Sequence, residues 1–172
     1  MKITLLALAS ASLASCASMG FGDGNPQAAA QFERLKTLQG EWVTTSGGGD
    51  MPAGAVVRYH VTSGGTALLE TISPDSPDEM VTLIHRDGDE LVLTHYCTLG
   101  NQPHMVAEAG TDPNTIRFRF AGGANIDASK DQHMHSAEFT FIDDAHVTTK
   151  WTLHDGGKAT EVAQFPLVRS WR

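Results

Sequence analysis

The sequence predicts an all-β fold, a closed antiparallel up-and-down barrel of about ten strands with one short helix before it. Two observations lead to this prediction. After Gly40, apolar residues recur at every second position, as in the segment IRFRF at 116–120, where apolar and basic side chains alternate. Turn residues separate these segments, and none of the connections is long enough for the helical crossover that parallel strands require.

The N-terminal residues predict export. Lys2 precedes a short apolar run at 3–13, which is shorter than the roughly 20 residues of a membrane-spanning helix. Residues 1–15 are therefore predicted to be a signal peptide. The run LASC, which ends at Cys16, resembles the lipobox of bacterial lipoproteins. That resemblance implies acylation of Cys16 and, with Ala17 beside it, an outer-membrane lipoprotein that faces the periplasm. Ordinary cleavage among these small residues is the alternative.

Residues 16–26 are small, polar and rich in glycine, which predicts a tether to a folded domain at 27–172. A short amphipathic helix is predicted over 27–38, where large apolar residues recur at spacings of three. Gly40 follows as a helix stop signal.

Ten segments after this helix have the length and alternation of strands. They are 41–46, 54–62, 65–73, 79–86, 89–97, 102–108, 114–120, 133–141, 145–154 and 159–168. Hairpin signals such as the Gly-Gly pairs at 64–65 and 156–157 lie between them. A meander of this length leaves exposed edges unless it closes on itself, which favours a barrel. A sandwich of two sheets is the alternative.

Charge and motifs exclude several functions. The 172 residues include 12 Lys and Arg against 20 Asp and Glu, a formal net charge of −8. Because nucleic-acid binding needs clustered basic residues, a general nucleic-acid binder is excluded. The sequence contains no Walker, Rossmann or zincin motif. It has two cysteines. If Cys16 carries lipid, Cys97 has no disulfide partner, and lone thiols of this kind are usually buried.

The start and the end of the predicted barrel form a recognisable combination. Gly40-Glu41-Trp42 opens the first strand, and Arg169 follows the last one. This arrangement resembles the calycins, which include lipocalins and fatty-acid-binding proteins. In that family a Gly-x-Trp meets an arginine from the end of the last strand. The resemblance implies that Trp42 and Arg169 close the barrel bottom, with the guanidinium over the indole face.

A second resemblance covers most of the chain from about residue 30. The segment THYCTLGNQP at 94–103 and the pattern Phe-x-x-Leu-x-x-Leu-x-Gly-x-Trp at 32–42 are similar to uncharacterised bacterial lipocalin-like domains. The likeness implies the barrel but no activity. Haem-binding relatives of the nitrobindin type share the architecture and use one late-strand histidine as iron ligand. His146 and His154 do not match that position, because their parity predicts that they point outward.

Alternating chain direction gathers distant polar residues at the end of the barrel opposite Trp42. The predicted ligand-binding residues at this mouth are His95, Cys97, Gln102, His104, His133 and His135. Parity with neighbouring apolar residues predicts that Cys97 and the histidines at 95, 133 and 135 face inward, and leaves His104 ambiguous. Inward imidazoles beside an apolar cavity can form hydrogen bonds with a ligand.

The sequence thus predicts an exported, lipid-anchored barrel that binds a small, mainly apolar molecule inside it. A haem- or transition-metal-binding barrel that uses the same histidines is one alternative, and a packed structural or interaction module is another. A hydrolytic triad of Cys97, a histidine and Glu70 is not favoured. Cys97 lacks the helix N-terminus or strand-to-helix turn that exposes and activates such a nucleophile.

Overall fold

The structure, a computed structural model, describes residues 25–48 and 51–171. The predicted signal peptide, Cys16 and most of the tether lie outside these residues. No helix in the described ranges is both long and apolar enough to cross a bilayer.

Ten strands form one closed antiparallel barrel, in which neighbours along the chain pair and the first strand pairs with the last. They are β1 (Gly40–Thr44), β2 (Val56–Thr62), β3 (Ala67–Ile72), β4 (Met80–Asp87), β5 (Glu90–Tyr96), β6 (Gln102–Ala107), β7 (Thr115–Ala124), β8 (His133–Phe141), β9 (His146–Asp155) and β10 (Lys158–Ser170). The predicted up-and-down barrel is confirmed, and the sandwich is excluded. The largest boundary difference is in β7, which continues to Ala124.

The helix α1 (Pro26–Lys36) precedes the strands and lies close to the predicted range of 27–38. The Asn25 side chain accepts a hydrogen bond of 3.0 Å from the backbone N–H of Gln27, which caps its first turn. The apolar face, which includes Phe32 and Leu35, is buried in the barrel core. The helix therefore covers one end of the barrel, where β1 begins and β10 ends, which we call the bottom.

The opposite end, the top, is formed by the loops that follow the odd-numbered strands. Three register shifts occur on this side of the barrel, one between His104 and Met105 of β6, one between Met134 and Ser136 of β8 and one between Ala159 and Glu161 of β10. The strands β7 and β8 pair only from Thr115 to Arg119 of β7, below the top. Strict alternation therefore ends in β8 near the mouth, where its first residues are placed by a bulge.

Candidate functional site

A cavity of about 290 Å³ opens at the top of the barrel. Its lining is mainly apolar and includes Met51, Pro52, Ile72, Met80, Leu99, Met134, Trp151, Leu153, Ala163 and Phe165. Two carboxylates, Asp78 and Glu161, also line it, but no lysine or arginine of residues 25–48 and 51–171 does. It is larger than a second cavity of about 190 Å³ at the opposite end of the barrel. A pocket of this type, apolar with a few polar groups, is typical of small-molecule binding.

Two of the six predicted ligand-binding residues, His95 and Cys97, line this cavity. His95 is buried, and its ring packs against Trp151 with ring centroids 4.8 Å apart. The sulphur of Cys97 lies 4.0 Å from the sulphur of Met80 on the neighbouring strand. One imidazole and one thiol of this part of the chain thus lie at the cavity wall, as the alternation of β5 predicted.

His133 and His135, which were predicted to face the barrel interior, do not line this cavity. Because of the bulge, Met134 lines the cavity, and the two histidines lie outside its lining. His133 Nε2 is 3.0 Å from His135 Nδ1, and the His135 ring stacks on His154 with centroids 3.7 Å apart. The Phe120 ring packs against His133 and His135. The three imidazoles form a separate cluster beside the mouth. The register shift between Met134 and Ser136 means that the alternation of β8 from Ala137 onward does not predict the side-chain directions of His133 and His135.

Protonation is disfavoured in this histidine cluster. Partial burial, together with the charges of His154 and His133, lowers the pKa of His135. Partial burial and the charge of His133 likewise lower the pKa of His154. Two stacked imidazolium ions would repel each other, so the stacked pair His135 and His154 is most stable with neutral rings.

Gln102 and His104 also lie outside the cavity lining. The neighbouring Met105 faces the core, so His104 takes the opposite face of β6, and its Nδ1 lies 3.1 Å from the hydroxyl of Thr94. The amide of Gln102 accepts a hydrogen bond of 2.9 Å from Asn125. Their contacts in the structure are therefore with the barrel wall and with the β7–β8 connection.

A row of polar side chains crosses the inside of the barrel. Tyr59, Glu70, Thr82 and His95 occupy facing positions on four consecutive strands, β2 to β5, and all four are buried. The Tyr59 hydroxyl donates to Glu70 Oε1 at 2.7 Å. The Thr82 hydroxyl lies 3.0 Å from His95 Nδ1. His95 is the member of this row that reaches the cavity.

Burial favours the uncharged forms along this polar row. It raises the pKa of the Glu70 carboxyl, and the hydroxyls of Thr82 and Tyr59 oppose that rise only in part. Burial, the charge of Glu70 and the hydrogen bond to it raise the pKa of Tyr59 well above its usual value. Burial lowers the pKa of His95 to about 4. At neutral pH the imidazole that faces the cavity is therefore neutral.

The neutral His95 ring lines the cavity and has one nitrogen that is not engaged. Nδ1 is occupied by the Thr82 hydroxyl, and Nε2 makes no hydrogen bond to any described residue. A neutral imidazole donates from one nitrogen and accepts at the other. The direction of the hydrogen bond to Thr82 therefore decides whether Nε2 donates to a ligand or accepts from it.

Sequence reasoning did not select Tyr59 or Thr82, and it named Glu70 only as the acid of a rejected triad. A signal for the polar row was present in the segment ALLETI, where Glu70 has the parity of the buried Leu68 and Ile72. A carboxyl at a core position is rare unless it is paired or protonated, so it points to a special environment.

The bottom of the barrel is closed by the pair predicted from the sequence. The Arg169 guanidinium lies 4.3 Å from the centre of the Trp42 ring, and it donates to the carbonyls of Gln39, Thr37 and Asp144 at 2.8, 2.7 and 3.0 Å. A smaller cavity of about 190 Å³ lies beside this arginine. The hydrogen-bonded guanidinium ties the end of β10 to the chain segment before β1 and closes this end of the barrel.

In comparisons with known proteins, no profile of a protein family matches the chain, and no curated protein matches it.

Proposed function

We propose that this chain is a lipid-anchored protein of the bacterial cell envelope whose barrel binds a small, mainly apolar molecule in the top cavity. The observation that carries the proposal is a mouth cavity of about 290 Å³ with apolar walls and one buried, neutral imidazole. Protein interiors are normally packed without voids of this size. A preserved cavity with a free hydrogen-bonding atom is the arrangement expected for a ligand.

The charges around the cavity narrow the class of ligand. Among the described residues no lysine or arginine lines it, whereas Asp78 and Glu161 do, so these residues offer no counter-charge to an anionic group such as a fatty-acid carboxylate. His95 is neutral and offers one hydrogen bond through Nε2. We therefore propose an uncharged ligand with an apolar body and one hydroxyl or carbonyl group.

The cavity volume limits the size of this ligand. About 290 Å³ is at the lower end of the roughly 300–1,000 Å³ that is typical of ligand pockets. This favours a compact molecule over a macrocycle such as haem. The histidines at 133 and 135, which are outside the lining, would act on the ligand only through the β8 wall.

The membrane attachment is proposed separately from the ligand. Cys16, at the end of the lipobox-like run, would carry the lipid, and acyl chains contribute about 0.8 kcal/mol of membrane affinity per buried methylene. The contact of Arg169 with Trp42 supports the calycin resemblance. Intact mass spectrometry of protein from its own host tests the anchor. A mature chain without lipid mass would rule it out.

Native mass spectrometry of protein purified from its host tests the ligand, and we expect a copurified small molecule. A matched pair of variants then locates it. Ala163→Phe fills the cavity, whereas Val162→Phe adds the same ring to the exposed face of the same strand. We expect Ala163→Phe to abolish binding of the copurified molecule and Val162→Phe to leave it unchanged. Absence of any copurified molecule, or equal binding by both variants, would contradict the proposal.

A further inference from the structure

Two sulphur atoms face each other across the cavity wall. Met80 begins β4 and Cys97 follows β5, next to the paired residues Val81 and Tyr96. The Cys97 Sγ and Met80 Sδ atoms are 4.0 Å apart. Two metal–sulphur bonds of about 2.3 Å that meet at roughly 120° would separate their sulphurs by about 4.0 Å. The observed spacing agrees with that of two sulphurs that hold one trigonal metal ion.

A third donor lines the same cavity as this pair. His95 is two residues before Cys97, so both side chains point to the same face of the strand and line the same cavity. Thr82 holds Nδ1 of the ring at 3.0 Å and leaves Nε2 without a partner among the described residues. A hydrogen bond to the second ring nitrogen is the usual way in which a metal-binding histidine is oriented.

We propose that Cys97, Met80 and His95 form a binding site for a soft monovalent metal ion, Cu(I). Thiolate and thioether donors favour Cu(I), and imidazole also binds copper, whereas hard cations need oxygen ligands. On binding, the Cys97 thiol loses its proton to solvent and the sulphur–copper bond replaces the S–H bond, with no change in oxidation state.

The thioether explains why this site differs from an ordinary metal cluster. Over residues 25–48 and 51–171, no three side chains of His, Cys, Asp and Glu converge in a geometry that could hold a metal ion. In the proposed site Met80 supplies the third donor, and Met51 and Met134 bring two further thioethers to the same cavity. The inference does not rest on the proposed apolar ligand, but both proposals use His95 Nε2, so copper and the polar group of that ligand would compete for this nitrogen.

Titration of the full chain with Cu(I) tests this site. For this experiment Cys16→Ser is introduced, so that Cys97 is the only one of the two cysteines that remains. Under anaerobic conditions with ascorbate, Cu(I) is titrated against the chelator bicinchoninate, and we expect one equivalent to bind. Cys97→Ser is expected to weaken this binding by more than about 100-fold and Met80→Leu by at least about tenfold. Met105→Leu, in the core but outside the cavity lining, is the matched control and should bind as the parent does.

X-ray absorption of the parent complex gives a second readout that needs no variant, and we expect two sulphur scatterers and one nitrogen around copper. Failure to compete with bicinchoninate, undiminished binding by Cys97→Ser, or tighter binding of Zn(II) than of Cu(I) would each overturn the inference. The proposed apolar ligand is tested separately, by the native mass spectrometry described above. Copper binding without a copurified molecule would contradict only that proposal, and the reverse result would contradict only this one.

Discussion

The two ends of the barrel treat their polar groups in opposite ways. At the bottom, the Arg169 guanidinium donates hydrogen bonds to three backbone carbonyls and covers the Trp42 ring. Toward the top, His95 Nε2 is free, and Glu70 Oε2 and Asn101 Oδ1 are buried without a hydrogen-bond partner in the described part of the chain. Buried unpaired groups are costly, so they are rare unless something else uses them.

This difference indicates that the two ends of the sheet have different roles, with the bottom contributing mainly to stability and the top mainly to binding. The bottom stabilises the fold, because Arg169 is hydrogen-bonded to three carbonyls there and the helix packs onto the core. The top retains a cavity and unpaired groups, which cost stability and provide binding capacity. Changes at the bottom should therefore affect unfolding, and changes at the top should affect binding and pH dependence.

The largest expected effect is the loss of the bottom closure. Arg169→Ala removes three hydrogen bonds to carbonyls and the contact with Trp42, and should lower the free energy of unfolding by about 3 to 4 kcal/mol. Urea denaturation measures this change. A loss below about 1 kcal/mol would show that the bottom is not the stabilising end.

A similar effect is expected from pH at the top. Because the pKa of His95 is about 4 in the fold and about 6.5 when unfolded, the unfolded state binds more protons between these values. The His95 contribution is complete above about pH 6.5, and about 3 kcal/mol is lost as the pH falls to about 4. Denaturation at several pH values compares the parent with His95→Gln, which should lose less stability on acidification. The exposed His146→Gln is the control. Identical pH profiles for the parent and His95→Gln would contradict this account.

The buried Glu70 should produce an effect of opposite sign. Its raised pKa means that the fold prefers the protonated carboxyl, so stability present near pH 4 declines as the pH rises through the folded pKa. Glu70→Gln keeps an acceptor for Tyr59 and should not show this decline. Tyr59→Phe removes the donor and should cost about 1 to 2 kcal/mol at neutral pH. Denaturation from pH 4 to pH 8 measures both changes. A decline that persists in Glu70→Gln would assign it to another group.

The smallest effect is expected on the outer wall. Arg117 makes an exposed ion pair of 2.7 Å with Glu138, which also contacts Lys150 at 3.3 Å. Arg117→Ala should cost less than about 1 kcal/mol, because solvent screens the pair. Measured by the same denaturation, it is also the matched control for Arg169→Ala. If Arg117→Ala and Arg169→Ala lowered the free energy of unfolding equally, the bottom would be no more important for stability than the outer wall.

The barrel and its closure could be predicted because their signals are local or lie at fixed ends of the chain. The alternation in each strand, the glycine turns and the positions of Trp42 and Arg169 needed no knowledge of which strands touch. The inward facing of His95 and Cys97 was also predictable, since β5 is regular up to the mouth. The facing of His133 and His135 was not, because a bulge is a property of the pair β8–β9.

The polar row illustrates the same limit. Tyr59, Glu70, Thr82 and His95 lie on four strands, and only the register between those strands brings them into one line. Each residue has the inward parity in its own segment, yet no segment reveals its neighbours. The contact between Met80 and Cys97 depends on the same register.

By itself the sequence determined that this chain forms an antiparallel barrel, where each strand lies and which end is closed, because period, turns and terminal residues act over a few positions. Only the tertiary structure decided which side chains line the cavity, how large it is and which polar atoms stay unpaired. Those properties depend on how each strand is placed against its two partners, and one extra residue in a strand is enough to redirect the side chains beyond it.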